Sequence, residues 1–222
     1  RISFLQPTCG RVWSPGIRAQ MFSPALSPNL FNDEDFIVSA LSIPRADEFV
    51  ARLRERLSEN RVRHCISVAE TMRHVAKENG LDVERAAVAG LLHDMCKAFS
   101  PADMLAAAER YRISINETQL KKPTLLHGHV AAHEAKHDLG VDHDDVHEAI
   151  AWHVTGYPKV GPLALALYYA DFSEPYRDFE EAAVARDIYK KDGLHTAVRY
   201  VAHAKTERLV RKRMFIDPNT DA

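Results

Sequence analysis

The densest chemistry in the sequence lies at Leu91-Leu92-His93-Asp94-Met95-Cys96-Lys97. A histidine followed at once by an aspartate puts two metal ligands side by side. The imidazole nitrogen can hold one cation, and the carboxylate, with two oxygens, can bridge two. Lys97 lies four positions after His93 and three after Asp94, so a helix returns it to the same face. An ammonium there suits an anionic substrate. A His-Asp pair alone says little; what matters is whether the rest of the chain delivers further ligands.

It does, at the ends of helical stretches. His64 opens one, His127 starts another in Leu125-Leu126-His127-Gly128, and His153 closes a third in Ile150-Ala151-Trp152-His153. Asp171 ends an apolar run, Leu167-Tyr168-Tyr169-Ala170-Asp171. A carboxylate at the end of a core-like helix needs a partner, because burying a bare charge is costly. A bound cation is such a partner. Four histidines and two aspartates suggest two metals bridged by Asp94, with mixed nitrogen and oxygen ligation suited to iron, manganese or other transition ions more than to magnesium. Taken singly, each histidine reads more readily as a helix cap or a solvated side chain, and Asp171 equally well as a helix-terminal or salt-bridge residue. The joint pattern is what points to a metal centre.

The elements that must position these residues are helical. Residues 1–45 read as an irregular arm or linker, broken by Pro7, Pro15, Pro24, Pro28 and Pro44, with Phe22, Leu30, Phe31, Phe36 and Ile37 as apolar surface to bury. From Ala46 the period is 3.6. The spacing predicts helices over Ala46–Ser58, His64–Glu78 (ended by Gly80), Asp82 to about Lys97, Ser100–Tyr111, Gly128–Leu139, Asp142–His153, Gly161–Phe172, Phe179–Lys190 and Gly193–Arg211. Residues 112–126 read as a loop around Pro123. With no alternating strand and no repeat, the fold class is all-α, a helical bundle occupying 46–222.

Composition narrows the classes. The 222 residues are 46% hydrophobic and 27% charged with net charge −2, which is ordinary for a globular protein and excludes a nucleic-acid tail or polybasic membrane anchor. No apolar run is long enough to span a bilayer. Three scattered cysteines, Cys9, Cys65 and Cys96, argue against a disulfide framework and fit a reducing cytoplasm, and no secretory signal pattern opens the chain. A helical surface leaves a homodimer open without demanding one.

The ordered ligand set and the residues around it resemble the HD-domain metal-dependent phosphohydrolases, and within them the YqeK-like symmetrical bis(5'-nucleosyl)-tetraphosphatases. The resemblance runs from about Ala46 to the C-terminus. It is carried by Arg61-Val62-Arg63-His64 with Ser67-Val68-Ala69-Glu70-Thr71, by Ala89-Gly90-Leu91-Leu92-His93-Asp94 with Lys97, and by Leu126-His127-Gly128. It is also carried by His153-Val154-Thr155-Gly156, by the stretch from Tyr169 through Asp171, Glu174-Pro175 and Arg177-Asp178-Phe179, and by the tail Ile216-Asp217-Pro218-Asn219-Thr220. Val154 departs from the family's more frequent threonine, which removes a hydroxyl. The arm 1–45 has no counterpart in the family.

What the resemblance implies is an HD-domain hydrolase acting on phosphoanhydride bonds. It cuts diadenosine tetraphosphate symmetrically to two molecules of adenosine diphosphate, with iron as the expected metal and manganese, cobalt or magnesium as alternatives. We expect His64, His93, Asp94 and Asp171 to hold one ion, and Asp94, His127 and His153 the other. Two such ions can activate a bridging hydroxide for in-line attack. Asp94 and Lys97 are the expected catalytic residues. Arg61, Lys97, Arg177, Thr155 and the Gly156 backbone are the expected contacts to substrate, with a salt bridge to a neighbouring carboxylate as the other role for each arginine. The partner is a nucleotide, with no nucleic acid and no membrane. The rival readings are another HD-domain nucleotide phosphatase or phosphodiesterase, a di-iron oxygenase, and a non-catalytic nucleotide-binding sensor.

Other features read as bystanders. His129, His133 and His137 recur every four residues, as do His143 and His147; a solvated histidine face is expected rather than a zinc site. Gly156-Tyr157-Pro158 spells the tripeptide of another HD branch, but the paired histidines that precede it there are missing. Cys96 is expected to be a buried small hydrophobe.

Overall fold

Helix α2, Glu59–Asn79, is the spine of the molecule. Val62, Cys65, Val68, Ala69, Met72, Val75 and Ala76 recur at three- and four-residue spacing and are buried. Gly80, at φ 68, ends it in the left-handed conformation, and Leu81 N–H closes on Ala76 O at 2.9 Å. The computed structural model describes residues 43–221, so nearly all of the expected arm 1–45, with Cys9, lies outside the described residues.

Before the spine comes α1, Ala46–Arg54; after it come α3, Val83–Leu92, and α4, Pro101–Arg110. Asp82 caps α3 by accepting from Arg85 N–H, and Ser100 caps α4 by accepting from Asp103 N–H, with Pro101 in the first turn. Next are α5, Glu117–Lys121, a 3-10 turn over Pro123–Leu126, α6, His127–His137, and α7, Asp144–Trp152. The chain closes with α8, Pro162–Ser173, α9, Glu180–Asp192, α10, Leu194–Arg211, and a last turn α11, Pro218–Asp221. Among the described residues there is no strand, and no helix is long and apolar enough to cross a membrane.

The spine packs chiefly on α3 and α8, while α3 and α8 each also touch α7. Gly90 permits the closest of these approaches: a Cβ there would lie 2.7 Å from Ala69 Cα. Helix α8 is apolar all round and buried on most of its faces, as a central element must be.

Three expectations are corrected. The helix expected to reach Lys97 stops at Leu92, and 93–98 are turns closed by bonds of the type Lys97 N–H to Asp94 O, 2.8 Å. The cause is His93, whose ring takes the Gly90 carbonyl at 2.7 Å. In a continuing helix that carbonyl would serve Asp94 N–H. The expected loop 112–126 holds α5, nucleated by a reciprocal Asn116–Gln119 capping box. Asp142 does not cap α7. It pairs with Lys136 at 2.9 Å, and the helix begins after His143.

Candidate metal centre

Each site histidine but one sits where a helix starts or stops. His93 follows α3, His127 begins α6, and His153 follows α7. Each turns Nδ1 back onto the carbonyl three residues before it: Gly90 O at 2.7 Å, Thr124 O at 2.6 Å and Ile150 O at 2.7 Å. A carbonyl only accepts, so Nδ1 carries the proton and Nε2 presents a bare lone pair. At His93 and His153 this bond lies where the helix ends, and in all three residues it aims Nε2 into the site. His64 lies inside α2, and its Nδ1 lies 3.1 Å from Glu174 Oε1.

The Nε2 atoms converge on two aspartates. His127 Nε2 is 3.0 Å and His153 Nε2 3.4 Å from Asp94 Oδ1, and the two ring nitrogens are 3.1 Å apart. On the other side, His64 Nε2 is 3.2 Å and His93 Nε2 3.7 Å from Asp171 Oδ1, with Asp94 Oδ2 at 4.0 and 3.7 Å. Two triads, His64-His93-Asp94 and Asp94-His127-His153, each gather ligand atoms within 4.8 Å of one another. Asp94 belongs to both.

The donor set fits a metal. His93 Nε2 and Asp94 Oδ1 are buried without a properly directed hydrogen bond. Around Asp94 Oδ1, the lone pairs of His127 Nε2 and His153 Nε2 face the carboxylate at 3.0 and 3.4 Å, an arrangement that a cation stabilises.

The electrostatics agree. Burial alone would raise Asp94, yet the surrounding imidazoles of His93, His127 and His153 hold it well below the usual carboxylate range. Asp171 is likewise raised by burial and brought well below its usual value by His64 and His93. Burial pushes His127 down and His153 down to about 3, so both stay neutral. Burial acts in the same sense on His64, but Asp171 and Glu174 outweigh it and its pKa rises.

Cations ring the carboxylates. Arg61 donates to Asp94 Oδ2 at 3.0 Å, and Lys97 Nζ lies 3.5 Å from Asp94 Oδ1 and 3.0 Å from His127 Nε2. Lys97 thus reaches the site from a turn, not from the helix face the spacing suggested. Arg177 donates to the side chain and the carbonyl of Asp171, both at 3.0 Å. Thr155 is buried, and its hydroxyl donates to Gly156 O; the Gly156 N–H closes on Trp152 O at 2.8 Å. The donors expected from these two residues are therefore already engaged, although Thr155 lines a cavity of about 250 Å³ beside Asp171 and Arg177.

That cavity exposes residues that sequence reasoning missed. Lys205 and Arg208 of α10 and Phe215 of the tail line it. Lys205 Nζ donates to His153 O at 3.2 Å and sits 3.8 Å above the Tyr168 ring; burial brings its pKa down to about 8. Nothing in the helical period of α10 singles out Lys205 from its neighbouring charges. Glu174 was visible as part of a Glu-Pro pair, but its contact with His64 spans 110 positions.

The bystanders resolve in part. Cys96 is fully buried and donates to Glu134 Oε2 at 3.0 Å. The expected solvated histidine face is instead largely a ring stack: Tyr111, His133 and His137 lie within 8–17° of parallel, His147 meets His133 edge-on, and His129 meets Trp152 edge-on. None of these histidines enters either triad.

The chain is similar to known proteins. Symmetrical bis(5'-nucleosyl)-tetraphosphatases of Halalkalibacterium halodurans and Bacillus subtilis are 29% and 26% identical to this chain, over 76% and 78% of it and 89% and 92% of their own lengths. A crystal structure from Clostridium acetobutylicum, described as a predicted HD superfamily hydrolase involved in NAD metabolism, superposes with a TM-score of 0.75 at 29% identity, covering 78% of this chain and 92% of that one. The HD domain family model matches residues 61–175, more than half of the sequence and a span that includes every converging His and Asp described above, so the chain belongs to the HD domain family.

Proposed function

We propose that the chain hydrolyses dinucleoside tetraphosphates symmetrically, with diadenosine tetraphosphate as substrate and two molecules of adenosine diphosphate as product. The observation that carries this reading is the pair of triads sharing the buried Asp94, ringed by Arg61, Lys97 and Arg177. The relatives named as tetraphosphatases, alike over most of both chains, support the choice of substrate. The unit that acts is 46–222, with 1–45 as a separate arm.

His64, His93, Asp94 and Asp171 would hold one ion, and Asp94, His127 and His153 a second; iron is the expected metal. When bound, such ions supply Lewis-acid polarisation of phosphoryl oxygens and acidify water. The chain's own residues do the rest. Lys97 and Arg61 meet the central phosphates and offset charge on the departing diphosphate. Arg177, Lys205 and Arg208 hold the outer phosphates of one half, whose base lies against Phe215 in the neighbouring cavity. The three carbonyl-locked imidazoles keep Nε2 free of protons, so ligation at these three requires no change of tautomer. Free, buried Cys65 and Cys96 fit a reducing cytoplasm.

The test is an incubation with diadenosine tetraphosphate after anaerobic purification, the products being separated by anion exchange. Adenosine diphosphate as sole product is the expected result. Adenosine monophosphate with triphosphate, or no cleavage by metal-loaded protein, overturns it. His93→Ala and Asp94→Ala are expected to lose metal and turnover together while keeping helicity.

A further inference from the structure

One of the site's four imidazoles is oriented by a side chain, the other three by main chain. A carbonyl such as Gly90 O, Thr124 O or Ile150 O accepts from Nδ1 but carries no net charge. His64 cannot use that lock, because within α2 the preceding carbonyls serve the helix ladder. Glu174 takes the carbonyl's place, with Oε1 3.1 Å from Nδ1.

Glu174 is built in rather than incidental. It is 1% exposed. Its second oxygen accepts from Ser67 Oγ at 2.7 Å and Tyr176 N–H at 2.8 Å. Arg186 of α9 clamps the turn that carries it, donating to the carbonyls of Ser173, Glu174 and Arg177. Glu174 is not a member of either triad.

A carboxylate behind an imidazole fixes the ring and strengthens the far nitrogen as a ligand. The cluster is therefore uneven. The His64 half has a charged backing at His64 and a second aspartate, Asp171. The His127 half has two neutral backings and no second aspartate, while each half has one cation against a ligand nitrogen, Lys97 at His127 Nε2, 3.0 Å, and Arg177 at His64 Nε2, 3.3 Å. Both differences favour a cation in the His64 half.

We propose that Glu174 is a positioning residue for His64, and that it makes the two halves of the centre fill in order, the His64 half first. The inference rests on the metal-ligand reading given above.

The experiment is a Mn²⁺ titration of the full chain stripped with chelator, free Mn²⁺ being read by electron paramagnetic resonance. Two separated steps are expected for the native chain. Glu174→Gln is expected to weaken the tighter step about 10–100-fold and leave the weaker one in place, so that the steps merge. Ser67→Ala, which keeps the carboxylate but removes one of its anchors, is expected to move the tighter step the same way by less, and it carries the test should Glu174→Gln not fold. A single step with two equal sites in the native chain overturns the proposal. So does a Glu174→Gln isotherm that superposes on the native one, or one in which the weaker step moves instead. A native chain that binds no Mn²⁺ overturns the underlying metal reading as well.

Discussion

Lys97 is the single residue at which the proposed substrate chemistry can be separated from metal chemistry. Its ammonium touches Asp94 and His127, yet its side chain is 41% exposed and opens toward solvent. Lys97→Met keeps the aliphatic stem and removes the charge. Turnover is expected to fall at least tenfold, roughly the 1.5–3 kcal/mol of a charged hydrogen bond, with metal content retained. Elemental analysis beside a steady-state assay checks this; loss of metal would make the residue part of the cation site. At this scale the sequence was informative because ligands must be particular residue types. His93, Asp94, His127, His153 and Asp171 stood out by kind and by their places at the ends of apolar runs or helical stretches, whereas His64, expected to open a helix, stood out by kind alone and lies inside α2. Glu174 and Lys205 did not, since a carboxylate or ammonium is ordinary in a sequence until the fold buries it.

Helices α6 and α7 meet at Gly128. A Cβ there would lie 2.8 Å from both Ile150 O and Ala151 O and 3.1 Å from His153 Nδ1. Those carbonyls are backbone and cannot rotate away. Gly128→Ala is expected to cost about 1–3 kcal/mol and to swing His153 off its Ile150 lock. Thermal denaturation and metal stoichiometry would read the two effects; unchanged values for both would show that the helices can separate freely. Most helices were legible, since 3.6-residue periodicity and the caps Asp82 and Ser100 are local signals. The early end of α3 was not legible. It follows from a side chain taking a backbone acceptor, which no propensity scale describes. Helix α5 was missed because five residues are too few for a period, and its signal was the Asn116–Gln119 pair.

For the molecule as a whole, two polar knots tie distant segments to the centre. Behind it, Arg56 of the turn after α1 meets Glu134 of α6 at 2.7 Å, and Glu134 also accepts from Cys96. Burial would raise the Glu134 carboxyl, but Arg56 and Cys96 hold it below its ordinary 4.5. A group depressed on folding contributes stability above its unfolded value and loses it as pH falls through the folded one. The native chain is therefore expected to lose stability below about pH 4.5. Glu134→Gln should be less stable at neutral pH and less steep in acid, as read from denaturant midpoints across pH. An identical slope would assign the acid sensitivity elsewhere.

The other knot is the tail. Asp217 is buried, accepting from Asn116 Nδ2 at 2.9 Å and from Asn219, while Thr220 donates to Thr155 O at 2.8 Å. These residues lie beyond the 61–175 span of the family match, yet they hold the loop that follows His153. Asp217→Ala is expected to cost about 1–3 kcal/mol and to raise KM more than it lowers kcat. The reverse pattern, with kcat falling at constant KM, would place the tail's influence on chemistry and not on substrate capture.

The position of Trp152 has an optical consequence. The chain holds two tryptophans. Trp152 adjoins His153, lies under Tyr157 at 4.6 Å and meets the His129 ring edge-on at 4.6 Å. An indole packed this way emits according to the rings around it, and His129 lies two positions after His127. With Trp13→Phe removing the second emitter, the remaining fluorescence is expected to shift when a cation is added, a built-in gauge of the centre that needs no label.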